Sequence, residues 1–167
     1  MKIEEDLKAV LRYSQTMKKM CYFVFAVYLA VMLYLLYGQR VGLDIAGSYF
    51  ERLSQNYNLI PFKTVSEYIE MALTSSNIYL REHAFINLLG NIFMFIPLGF
   101  LLPCIFSVAR KFGKHILICT VIIFVIEITQ LFSLLGSCDI DDLILNLCGT
   151  SVGFAVFLVI KHLTKRI

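Results

Sequence analysis

The stretch "ILICTVIIFVIEITQLFSLLGSCDIDDLILNLCGTSVGFAVFLVI", residues 116–160, decides the fold, because it places two long apolar runs on either side of a short acidic turn. The runs cover 116–135 and 143–160. A helix needs about 20 predominantly apolar residues to cross the hydrocarbon core of a bilayer. The two runs therefore predict two membrane helices that run in opposite directions and meet at the turn.

Two earlier runs, 20–37 and 84–106, have the same character. Of the 167 residues, 59% are hydrophobic and 16% are charged, with a mean hydropathy of +0.76. Soluble domains have only roughly 45–50% apolar residues. We predict one all-α integral membrane domain over 1–167, a bundle of four transmembrane helices. The first run is too long for a secretory signal and lacks a small-residue cleavage site, so we expect it to remain as an anchor.

The connection 38–83 contains a shorter amphipathic pattern, "TVSEYIEMAL" at 64–73. Its apolar residues recur at the spacing of one helical face. Thr64 and Glu67 have the spacing of a capping box at the start of this helix. We predict an amphipathic helix on the outer side, between the first and second spans, that lies along the membrane surface or folds over the bundle. An ordinary surface helix that ties two spans together is the alternative.

The distribution of Lys and Arg predicts the orientation. Eleven lie in the N-terminal arm, the 107–115 loop and the C-terminal tail, and four lie in the two remaining connections. Cytoplasmic loops carry the excess of positive charge in membrane proteins. We expect both termini to be cytoplasmic. The net charge of +3 then reflects membrane anchoring, and no nucleic-acid partner is expected.

Polar side chains interrupt the last three spans in pairs that share a helical face, three or four residues apart. With the predicted topology, all of these side chains lie in the outer leaflet. A charged side chain at the bilayer centre costs about 2.5–3.5 kcal/mol on insertion scales, so such residues are seldom without a role. We predict that they converge on a ligand-binding site formed by Asn87, Asn91, Glu127, Gln130, Asp139, Asp142 and Asn146.

Structural explanations stay open for the same residues. The asparagines are also typical of hydrogen bonds between membrane helices. Asp139 or Asp141 could cap the fourth helix, whose N-terminus favours negative charge. A cap needs one aspartate, however, and three lie within residues 139–142.

Proline and glycine residues predict how the spans pack. Pro97 removes a backbone hydrogen bond inside the second span, which favours a kink. Gly149 and Gly153 form a G-x-x-x-G pair, which allows two helix backbones to approach closely in lipid.

Two blocks, "NLLGNIFMFIPLGFLLP" (87–103) and "EITQLFSLLGSCDIDDLILNLCGTSVGF" (127–154), closely resemble the signature blocks of the VanZ-like family. "NLIPFKTV" (58–65) resembles the segment that precedes them in many members. The resemblance implies a small multi-pass protein of the bacterial cell membrane, related to a protein linked to low-level teicoplanin resistance. It does not establish a reaction. Carried over residue by residue, the family pattern adds five structural positions to the polar set: Gly90, Pro97, Gly99, Gly149 and Gly153.

Three functions remain open. The first is a binding protein whose partner is a membrane lipid or a lipid-linked envelope molecule. The second is an intramembrane enzyme acting on a lipid headgroup, with Glu127 as general acid or base, although the sequence has no Ser–His or Cys–His constellation. The third is a proton-coupled carrier, which four spans support only as a homo-oligomer. We expect no resident cofactor; a divalent cation held by Asp139, Asp142 and Glu127 is the alternative.

Overall fold

The computed structural model describes residues 2–38 and 48–164, with side chains from residue 15 onward. Its elements are almost all helical. In chain order they are α1 (Lys2–Leu33) with a π-helical turn (Tyr34–Gly38), α2 (Tyr49–Gln55), β1 (Tyr57–Asn58), α3 (Lys63–Thr74), α4 (Ile78–Ile105), a 3₁₀ turn (Ser107–Arg110), α5 (Phe112–Ser133), β2 (Cys138–Asp139) and α6 (Ile140–Thr164).

Four of the described helical segments are long and apolar enough to cross a membrane. They confirm an all-α, multi-pass membrane protein. The predicted runs lie almost wholly inside them, and the helices extend further, because polar residues at the ends of a span continue the helix beyond the hydrocarbon core. The largest differences are at α1, which begins at Lys2 rather than at 20, and at α4, which begins at Ile78 rather than at 84. The four segments are Gln15–Gly38, Ile78–Ile105, Phe112–Ser133 and Ile140–Thr164.

Helices α4 and α6 form the closest pair in the bundle. A Cβ atom at Gly149 or Gly153 would lie well under 3 Å from a backbone oxygen of α4, and one at Gly99 equally close to the Thr150 carbonyl. Glycine is required at all three positions because backbone lies against backbone. Pro97 lies inside α4, which remains one continuous helix.

The hydrophobic core lies among α1, α4 and α5. Phe95, Leu98 and Ile123 are fully buried at its centre, and Met32 and Leu36 reach it from the first span. The first span is nevertheless peripheral: only 11% of its most apolar window is buried in the protein, against 28–33% for the other three. Most of its surface is therefore not covered by the other described segments.

The segment 49–74, which we call the connecting segment, folds over the turn between α5 and α6. β1 pairs with β2 in a two-residue parallel ladder, with Tyr57 opposite Cys138 and Asn58 opposite Asp139. Helix α3 packs on α4 and α6. The predicted amphipathic helix is therefore present and contacts the bundle. The short helix α2, capped by Ser48, was not predicted, because its seven residues are too few to establish a period.

The predicted capping box of α3 is wrong. The helix begins after Phe62, whose φ of 64° is left-handed, and no side chain of its own first turn caps it. The Thr64 hydroxyl donates instead to Asp139, at 2.6 Å. The physical reason is a tertiary contact. Asp141 of α6 accepts the amides at the start of α3, so Thr64 and Glu67 are not needed to cap this helix.

Candidate functional site

A cavity of about 490 Å³ lies at the end of the bundle where α5 ends and α6 begins. Helices α3, α4, α5 and α6 and the π-helical turn form its walls. The structure places on these walls all seven polar residues that the sequence predicts as ligand-binding: Asn87, Asn91, Glu127, Gln130, Asp139, Asp142 and Asn146. Their proximity follows from topology, since α4 begins, α5 ends and α6 begins at the same end of the bundle.

Helix α4 contributes Asn87 and Asn91, one turn apart. The Asn87 amide donates to the His83 carbonyl oxygen at 2.8 Å and so stays within its own helix. The Asn91 amide donates across the bundle to Asp142 of α6. Gly90 lies between the two asparagines, and a Cβ there would meet no atom within 4 Å. No helix contact requires a glycine at Gly90, whose missing side chain instead leaves the cavity open.

Helix α5 contributes Glu127 and Gln130, both buried. Glu127 Oε2 accepts the Asp139 backbone amide at 3.3 Å, which ties α5 to the start of α6. Gln130 Nε2 lies 3.5 Å from the Leu36 carbonyl oxygen of the π-helical turn. A backbone hydrogen-bond donor thus reaches Glu127 inside the bundle, as a buried carboxylate needs.

The three aspartates of the acidic turn have three different tasks. Asp139 is the N-cap of α6, since its Oδ1 accepts the Asp141 amide at 2.8 Å. Its Oδ2 accepts the Thr64 hydroxyl, and Asn58 donates to the same carboxylate. Asp142 accepts from Asn91. The capping explanation therefore holds for Asp139 but not for the whole cluster.

Asp141 is the aspartate of the acidic turn that the sequence did not predict as a site residue. It is completely buried, and its carboxylate accepts the Phe62 amide at 2.5 Å and the Val65 amide at 3.0 Å. It therefore caps α3 from a position 79 residues further along the chain. The excess of aspartates over one cap indicated a second task, but no signal in the sequence names a partner so distant.

Asn146 lies one turn further along α6 and is only 3% exposed. Among the described residues, its Oδ1 has no hydrogen-bond partner. A buried polar atom without a partner costs about 1–3 kcal/mol. Asn146 thus lines the cavity, and its buried Oδ1 is an acceptor that the described part of the protein leaves unsatisfied.

Four apolar residues also line the cavity: Leu35, Leu36, Ile86 and Met94. Sequence reasoning missed these residues, because an apolar residue within a span is expected to face lipid or core. The remaining lining residues, Thr64, Tyr68, His83 and Ser137, come from the connecting segment and the ends of the spans.

Within the described residues, no group of three or more His, Cys, Asp or Glu side chains has an arrangement that could hold a metal ion. Asp139 and Asp142 accept hydrogen bonds from amide and hydroxyl donors.

Beside them, the pKa of the Cys138 thiol is raised, first by burial and then by the negative charges of Glu127, Asp139 and Asp142. The pKa of the Cys138 thiol is therefore sensitive to the negative charge around the acidic turn.

Comparison with known proteins identifies the family. The family model described as VanZ/LLP1 matches residues 22–161, a range that includes the whole cavity and most of every membrane helix. Neither the comparison with curated proteins nor that with solved structures gives a match. The match covers most of the chain and agrees with the resemblance of the blocks at 87–103 and 127–154. The chain belongs to the VanZ/LLP1 family.

Proposed function

We propose that this membrane protein binds, in the cavity, the polar headgroup of a lipid or of a lipid-linked envelope molecule. One observation carries the proposal: three helices of an apolar bundle, together with the strand β2 before α6, gather seven polar side chains around one open space. Polar groups inside a membrane bundle are costly and mark binding sites or pathways. The volume lies in the range of small-molecule sites, roughly 300–1,000 Å³.

We further propose that both termini are cytoplasmic and that the cavity faces the outer leaflet of a bacterial cell membrane. The excess of Lys and Arg on the side of the termini supports this orientation. Arg40, Lys165 and Arg166, which enter that count, lie outside the described residues. Because the cavity lies at the bundle end opposite the C-terminus of α6, cytoplasmic termini put it on the outer side.

Gly90→Leu tests binding, since Gly90 lines the cavity and a Cβ there meets no atom within 4 Å, so the added side chain occupies cavity space. Gly113→Leu is the matched control: a Cβ at Gly113 also meets nothing within 4 Å, and this residue does not line the cavity. The full chain is purified with its membrane lipids and analysed by native mass spectrometry. We expect the wild type and Gly113→Leu to retain a lipid and Gly90→Leu to lose it. Equal retention by all three proteins would show that the cavity is not the binding site.

The proposal extends to resistance, because a protein that holds an envelope lipid changes how drugs such as teicoplanin meet the membrane. Expression of the wild type in a susceptible strain should raise the inhibitory concentration of teicoplanin, and Gly90→Leu should remove the increase. An unchanged inhibitory concentration with the wild type would end the resistance proposal and leave the binding proposal to the mass measurement.

A further inference from the structure

We infer that the turn "LIPF" at residues 59–62 inserts into the membrane lipid at the cavity end of the bundle, as an apolar contact in addition to the four spans. We call these residues the apolar turn. It joins β1 to α3 in the connecting segment. Its partner is a lipid surface, and the contact needs no ligand in the cavity.

The side chains of the apolar turn are exposed in the described part of the protein. Leu59 is 65% exposed, Ile60 62% and Phe62 60%. Pro61 is exposed as well, and residues 53–62 carry no charge. Exposed apolar side chains that lie next to one another mark sites of contact with a membrane or another protein. The turn therefore presents a surface that its own described surroundings leave uncovered.

The backbone of the apolar turn suits lipid. The Ile60 amide donates to Asn58 Oδ1 at 3.2 Å. The Phe62 amide donates to Asp141 at 2.5 Å, and Pro61 has no N–H group. Lipid offers no hydrogen-bond partner, so backbone groups that enter it must be satisfied within the protein. The donors of three consecutive positions, 60–62, meet that requirement.

Phe62 combines a strained backbone with an exposed ring. Its φ of 64° lies in the left-handed region, which is unfavourable for a bulky residue and favours glycine or asparagine. Because the ring is mostly exposed, packing within the described residues does not account for a phenylalanine here. Burial of the ring in lipid does.

The hydrogen bond to Asp141 fixes the depth of the apolar turn. Helix α6 has 25 residues and is about 38 Å long, whereas the hydrocarbon core is about 30 Å thick. The first turn of α6, which contains Asp141, therefore lies near the boundary between the acyl chains and the headgroups. The Phe62 backbone lies at the same level, so the exposed side chains beside it are within reach of the lipid interface.

The chain has no tryptophan, so a single introduced tryptophan reports its own surroundings by fluorescence. Phe62→Trp places it in the apolar turn. Glu67→Trp, at an exposed polar position of α3, is the matched control, and Phe124→Trp, exposed at the middle of α5, marks the interior of the bilayer. Each full chain is reconstituted in phosphatidylcholine vesicles. The quenchers are iodide on both sides of the membrane and, separately, lipid brominated near the headgroup or near the chain end.

We expect the emission of Phe62→Trp to be blue-shifted relative to that of Glu67→Trp, and to lose most intensity to lipid brominated near the headgroup. Phe124→Trp should lose most intensity to lipid brominated near the chain end, and Glu67→Trp to iodide. Iodide quenching of Phe62→Trp as strong as that of Glu67→Trp would put the turn in water and overturn the inference. Protection from iodide and brominated lipid alike would also overturn it, because protein, such as a second copy of this chain, would then cover the turn.

Further variants test the cause and guard against a misfolded protein. Leu59→Trp repeats the measurement at a second position of the turn and should give the same order of quenching. Ile60→Asp, added to Phe62→Trp, puts a charge in the turn and should raise iodide quenching, whereas Gln55→Asp, exposed on α2, should not. Thermal unfolding in detergent checks that each variant folds. Unchanged quenching after Ile60→Asp would show that the exposed side chains do not hold the turn in lipid, and would overturn the inference.

Discussion

Asp141 and Asn146 lie on the first two turns of α6 and have opposite positions in the hydrogen-bond network. Both oxygens of the Asp141 carboxylate accept backbone amides of the connecting segment, so this buried charge is satisfied by the protein. The Asn146 Oδ1 has no partner among the described residues. A buried polar group with partners stabilises a structure, and one without them is costly unless a ligand supplies the partner. The first residue therefore maintains the fold, whereas the second keeps an acceptor that the described residues leave unsatisfied.

Asp141→Ala should lower the free energy of unfolding by about 1–3 kcal/mol, because it leaves the amides of Phe62 and Val65 without an acceptor. The loss is measured by thermal unfolding in detergent, and hydrogen exchange should quicken at these two amides. Glu67→Ala is the control, since Glu67 is exposed and does not cap α3 in the structure. A larger effect of Glu67→Ala would restore the capping box that the sequence suggests.

Cys138 should react slowly with iodoacetamide at pH 8, because burial and the nearby carboxylates raise its pKa and only the thiolate is nucleophilic. The alkylation rate should continue to rise at pH values above the usual pKa range of a thiol. Of the three carboxylates, Glu127 raises the pKa of Cys138 most. Glu127→Gln should therefore lower that pKa and speed alkylation at pH 8. The measurement uses a variant in which the other four cysteines are replaced. Glu70→Gln, on the exposed face of α3, should leave the rate unchanged.

At the scale of elements, the pairing of α4 with α6 holds the site together. Gly149 and Gly153 bring α6 against the α4 backbone, and the same approach puts Asn91 within reach of Asp142. Separation of the two helices would therefore affect both the packing and the polar contact. The connecting segment joins this pair from outside through Asn58, Thr64 and the two capped amides of α3.

Two glycine-to-alanine changes should have opposite effects on stability. Gly153→Ala forces a Cβ against the Ile96 carbonyl oxygen and should destabilise the protein by about 1–3 kcal/mol. Gly90→Ala adds a methyl group to open space and should stabilise α4 by up to about 1 kcal/mol through its higher helix propensity. Thermal unfolding of the two variants in the same detergent checks both signs. A stabilising Gly153→Ala would mean that α4 and α6 are further apart than the structure has them.

At the scale of the whole molecule, three spans form a compact group and the first lies beside it. The first span is joined to the others by apolar contacts around Phe95 and Leu98, and by the tyrosines Tyr28 and Tyr37, whose hydroxyls contact the Met94 carbonyl oxygen and Thr129. It contributes Leu35 and Leu36 to the cavity. At the boundary between the first span and α4, the lining residues Leu35 and Ile86 are also exposed on the surface of the bundle.

The sequence predicts the spans well, because length and apolarity alone determine which segments cross a bilayer. The sequence also predicts which residues share a helix face, because the four-residue spacing of Asn87 and Asn91 puts both on one side of a helix. It does not predict the contacts between segments that are distant along the chain. Nothing local in "DIDD" assigns Asp141 to α3, and Thr64 has the spacing of a cap while its hydroxyl bonds to Asp139. The apolar residues Leu36 and Met94 match a core pattern equally well, so their place in the cavity wall is visible only in three dimensions.

The dependence of α3 on Asp141 has a consequence for biosynthesis. Phe62 is synthesised 79 residues before Asp141, whose carboxylate accepts its amide. At a synthesis rate of about 5–20 residues per second, this delay is about 4–16 s. Throughout it the connecting segment has no cap for its helix, and the cavity lacks the wall that α6 provides. Insertion of the last span is then the event that completes the cavity, so a chain arrested before α6 would reach the membrane without it.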